Sequence, residues 1–159
     1  MNLAEFKKEL ERKISRNTQT TVKETSDLEI EKLDRKEFIM HFKKLYRTRA
    51  IEAFGMVKSE LGERFEIDYD RGASPSFYDD QIIEGVLKLK PRFESEVEEV
   101  FIICTGESYN KNVTLSSRIK LKANQPVDTG PLGMQASLEV AKETDFVKSV
   151  TTILSQINF

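Results

Sequence analysis

Asp68 and Asp70 stand two residues apart, with Asp79, Asp80 and Glu84 close behind, and clustered carboxylates of this kind can hold Mg²⁺ for phosphodiester hydrolysis. Such a site also wants a lysine two places after an acid on the neighbouring strand. Glu84-Gly85-Val86 does not supply one, and Lys88 lies two residues too far on. The acids therefore read as ordinary loop acidity. Asp128-Thr129-Gly130 is the triplet used by aspartic proteases, whose chemistry needs two such aspartates sharing one proton and an apolar strand leading in. Asn124, Gln125 and Pro126 lead in here and Pro131 follows, so protease chemistry is not expected. His41 is the only histidine and Cys104 the only cysteine. A histidine-rich metal site or a serine–histidine–aspartate triad thus lacks material. Cys104, flanked by Ile102 and Ile103, reads as inert core packing. No glycine-rich phosphate loop or zinc-ligand spacing is present, so neither catalytic residues nor a metal ion or cofactor is expected.

Cations form a clearer pattern. Residues 35–49 hold Arg35, Lys36, Lys43, Lys44, Arg47 and Arg49 against the single acid Glu37. On a helical wheel Lys36, Lys43 and Arg47 fall within about 40° of one another, opposite the apolar face, where they would meet phosphates or an acidic protein. No aromatic residue interleaves them for base stacking, and a solvated face is the simpler reading. Arg49 projects into the apolar stripe on the same wheel and should need a carboxylate or carbonyl partner.

The elements that must position these residues follow from hydrophobic period, which changes near residue 64. Leu3, Phe6, Leu10 and Ile14 are spaced 3, 4 and 4 apart, the stripe of a short amphipathic helix over 1–16 that must dock on something to be stable. Residues 17–33 read as a linker, with a short strand over 28–33. A single domain, 34–159, follows. Asp34 and Glu37 suit the start of a long helix that runs to about Leu61, with Gly62 as its C-terminal cap. Phe38, Ile39, Phe42, Leu45, Tyr46, Ala53, Met56 and Val57 share one wide face of it, with Ile51 and Phe54 on the other side. Gly55 in its interior suggests a close crossing or a kink.

Alternation in 65–69 and 82–90, the apolar run to Cys104 and alternation again over 113–122 predict four antiparallel strands in a meander. Residues 70–80 and 123–136 read as loops, and Phe146, Val150, Ile153, Leu154 and Ile157 as a C-terminal helix with Thr144 as its cap. The fold class is α+β: a four-stranded antiparallel sheet with the long helix and the C-terminal helix packed on it.

At 159 residues the chain has the size of one ordinary domain, and 38% hydrophobic with 33% charged residues describes a charge-rich globular protein. A formal charge of −2 offers no general affinity for nucleic acid or membranes. No stretch approaches the roughly 18 apolar residues that cross a bilayer, and the N-terminus lacks a signal-peptide core. With one cysteine, a reducing cytoplasmic location is expected. The functional expectation is a non-catalytic domain that binds another macromolecule, a protein or a second copy, through Leu3, Phe6, Leu10 and Ile14. The alternatives are a small-molecule binder, even an enzyme, with a pocket between sheet and helices, and a weak nucleic-acid binder through Lys36, Lys43 and Arg47.

Overall fold

Strict alternation dictates the sheet. Ile83, Gly85, Leu87 and Leu89 are buried, while the residues between them face outward; Val100, Ile102, Cys104 and Gly106 do the same one strand over. The structure, a computed structural model, describes the backbone except at Met1, Tyr78, 124–126 and 131–133, and the side chains except at those positions and at 13–33 and 127–130. Four strands, β1 (Phe65–Tyr69), β3 (Ile82–Pro91), β4 (Val97–Glu107) and β5 (Asn112–Leu121), pair antiparallel in that order, as the short connections require.

Three further short strands extend the expected four. β2 (Ser74–Pro75) pairs with β3 inside the segment read as a loop. β6 (Val127–Gly130) and β7 (Gln135–Ser137) both pair with β5, so the 123–136 segment is not wholly loop. Strands of two to four residues carry too little alternation to stand out from prolines and glycines in a sequence.

The helices depart further from expectation. α1 runs from Leu3 to Leu45, through the stretch read as linker and short strand, and passes Asp34 without stopping there. Leu28-Glu29-Ile30-Glu31-Lys32-Leu33 alternates over only six residues, and its Leu, Glu and Lys are good helix formers. The start of α1 is closed by a capping box: Asn2 Oδ1 accepts the Glu5 N–H at 2.9 Å, and Glu5 Oε2 accepts the Asn2 N–H at 3.3 Å. The chain divides into two compact units, 1–36 and 37–159, and the sheet belongs to the second.

A π-helical turn, Tyr46–Ala50, separates α1 from α2 (Ile51–Leu61), with the Ile51 N–H bonded back five residues to the Tyr46 carbonyl. Such a turn takes up more residues than an α turn and so resets the phase of the apolar face. The wheel of a straight helix puts Phe54 on the far side; after the reset it is buried beside Ala53 and Val57. The same rotation carries Arg49 and Met56, both expected on the apolar face, out to an exposed flank. The irregularity thus sits at 46–50 and not at Gly55, where an added Cβ would meet the Tyr69 hydroxyl at ordinary contact distance. α3 (Leu138–Ala141) is capped by Ser137, and α4 (Phe146–Ser155) by Asp145, whose carboxylate accepts the Lys148 N–H, in place of Thr144.

Phe42 and Tyr46 seat the helix on the sheet. A Cβ at Gly85 would overlap the Tyr46 ring, and one at Gly106 would overlap the Phe42 ring. The two glycines are pockets in the pleated surface for two aromatic rings. Replacing Gly85 by Ala should therefore destabilise the fold by about 1–3 kcal/mol, the range for overpacking a core. Gly72→Ala, at a position with open space around it, should stay within about 0.5 kcal/mol. Equilibrium denaturation measures both, and Tyr46→Leu combined with Gly85→Ala should recover part of the loss.

Candidate interaction surfaces

Three of the acids singled out in the sequence, Asp68, Asp70 and Asp79, make structural hydrogen bonds. Asp70 closes the end of β1: its N–H donates to the Val86 carbonyl, its Oδ2 accepts the Val86 N–H, and its carbonyl accepts the Tyr46 hydroxyl at 2.6 Å. Asp68 Oδ1 accepts the Tyr69 N–H. Asp79 accepts the Gln81 N–H and the Tyr109 hydroxyl, which ties the 70–80 segment to the turn between β4 and β5. Among the described residues no three His, Cys, Asp or Glu side chains come together as metal ligands. His41 sits half-exposed beside Glu37, four residues earlier, at 3.5 Å. The side chains of Asp128 and Thr129 lie outside the described residues, and β6 holds that triplet in backbone pairing with β5.

Large apolar side chains pack the layer between sheet and helices. Phe42, Tyr46, Phe54, Leu87, Leu89 and Ile102 are among its fully buried side chains, with Tyr46 edge-on to Phe54 and Phe54 edge-on to Tyr69. No buried side-chain nitrogen or oxygen among the described residues lacks a hydrogen-bond partner.

The exterior carries the features a partner would meet. Lys36, Lys43 and Arg47 are all exposed, with Lys36 in the first unit and the other two in the second. Leu3, Phe6 and Leu10 of the expected stripe are 84%, 54% and 46% exposed on α1. The side chain of Ile14, the fourth member, lies outside the described residues.

A groove between α2 and α4 has no counterpart in the sequence reading. One end, about 440 Å³, has an apolar floor of Val57, Leu61, Phe65, Val147, Leu154 and Phe159. The other, about 380 Å³, is edged by Arg49, Glu52, Glu143 and Asp145. Met56 and Val147 line both, so the two ends are continuous, and Met56 is 50% exposed at the middle. Phe159 stacks edge-on against Phe65 and Phe93 at the apolar end. The phase reset at 46–50 is what brings Arg49 and Met56 to this flank, and a uniform helical wheel cannot find it. Arg49 needs no buried partner, because it is exposed.

No family model, curated protein or solved structure matches the chain, so its surfaces alone carry the functional argument. No helix among the described residues is long and apolar enough to cross a membrane.

Burial pushes the Cys104 thiol up to about 12. Burial, followed by the nearby Asp70 carboxylate, raises the Tyr46 phenol as well. Both groups keep in the fold a proton that the unfolded chain releases at lower pH. Their stabilisation is complete below the unfolded thiol's ordinary value of 9.0 and is lost as pH climbs from there toward 12. Denaturant midpoints should accordingly fall between about pH 9 and 11, and fall less steeply in Cys104→Ala. Thiol reagents at about pH 8 should label Cys104 only after unfolding.

Proposed function

We propose that this chain is a non-catalytic domain that works by binding another macromolecule, a protein, with its N-terminal helix as the assembly element. The observation that carries the reading is the exposure of Leu3, Phe6 and Leu10 on one stripe of a capped helix. Burying a large apolar side chain contributes roughly 1.5–3 kcal/mol, so three together offer a partner on the order of 5 kcal/mol before the losses of association. The large side chains packed between sheet and helices support a binding surface on the outside over a ligand pocket within. The nucleic-acid reading draws only Lys43 and Arg47 from the second unit, and two phosphate contacts give weak, strongly salt-sensitive binding. A free, buried Cys104 fits a reducing cytoplasmic setting.

Residues 37–159 hold their own core, so removal of residues 1–16 tests the reading without dismantling the sheet. Light scattering on the truncated chain should give a lower assembly mass than on the full chain. Unchanged mass together with unchanged thermal stability would remove the helix from the account.

A further inference from the structure

We infer that the groove between α2 and α4 is the seat for the N-terminal helix of a second copy of this chain. The inference rests on the reading of that helix as an assembly element and names its partner surface.

Three observations converge. Length comes first: from Arg49 to Leu61 the groove wall is about 18 Å of helix, and Leu3 to Ile14 spans about 16 Å at 1.5 Å per residue. Shape is the second. The apolar floor of Val57, Leu61, Phe65, Leu154 and Phe159 is a channel between two helices, which accepts an apolar stripe at 3, 4 spacing. Charge is the third. The rims carry Glu52 and Glu60 from α2 and Glu143 and Asp145 at the start of α4, with Arg49 as the one cation among the lining residues. On the wheel of 1–16, the positions directly next to the apolar stripe are Lys7 on one side, with Glu11 beyond it, and, by sequence, Lys13 on the other, with Glu9 further round. Five cations against three acids leave the segment net positive. An apolar stripe directly flanked by lysines, on a net-positive segment, matches an apolar channel edged mainly by carboxylates.

Both halves of the match lie in one chain. Two copies related by a twofold axis would each give one helix and receive one, closing the assembly as a dimer with two equivalent seats. Met56 stands at the centre of each seat and Phe6 is the largest side chain of the stripe.

The test uses the full chain and two exposed substitutions, Phe6→Ser in the helix and Met56→Lys in the groove. Sedimentation equilibrium on the unchanged chain should show reversible dimerisation. Each variant should weaken it by at least about thirtyfold, the loss expected of a central anchor. An equimolar mixture of the two should associate more tightly than either alone, because the mixed pair keeps one intact helix facing one intact groove. Both positions are exposed, so circular dichroism should show native folding in both variants. If Phe6→Ser weakens the dimer while Met56→Lys does not, the groove assignment is overturned and the assembly role of the helix stands. A full chain that stays monomeric overturns the second copy as partner, and docking of the helix within one chain would appear there as a lower melting temperature in Phe6→Ser. A mixture no tighter than its components also overturns the inference.

Discussion

Tyr46 lying in the space left by Gly85 holds the second unit together, and most of its other features follow from that placement. The ring is fully buried and its hydroxyl reaches the Asp70 carbonyl, so one side chain joins the helix layer, the end of β1 and the middle of β3. A second aromatic, Phe42, does the same over Gly106 one strand away. A π turn at 46–50 follows the two rings, and beyond it Ala53, Phe54 and Val57 are buried together with Ala50.

The same constraint shapes the outer surface of the second unit. Large aromatic and aliphatic side chains pack the layer beneath the helices, while the reset helix presents Met56 and Arg49 to α4 and opens a groove outside the core. Of the carboxylates clustered in the sequence, Asp68, Asp70 and Asp79 close strands and turns. Asp70 satisfies backbone groups of Val86, and Asp79 ties Tyr109 to the segment before β3.

Regular alternation made the main sheet legible in the sequence. β1, β3, β4 and β5 each carry at least five residues of period-two pattern, and their order follows from short connections. The short edge strands escaped because two to four residues hold no period. α1 through 17–33 escaped because the Ser, Thr and Asn of that stretch have the composition of a linker. Of the surfaces, the stripe of Leu3, Phe6 and Leu10 was legible from spacing alone. The groove was not, since its walls come from residues about ninety positions apart and one wall depends on a π turn that no wheel contains.

Hydrogen exchange at low and at high protein concentration tests the central claim most directly, because it reads the packed unit and the proposed assembly helix in one measurement. Amides of Phe42 through Phe54 should exchange slowly at both concentrations, held by the aromatic seats. Amides of Phe6 through Arg12 should exchange quickly in dilute solution and slow markedly when the protein is concentrated. Rapid exchange across 42–54, or exchange over 6–12 that is indifferent to concentration, would contradict the account.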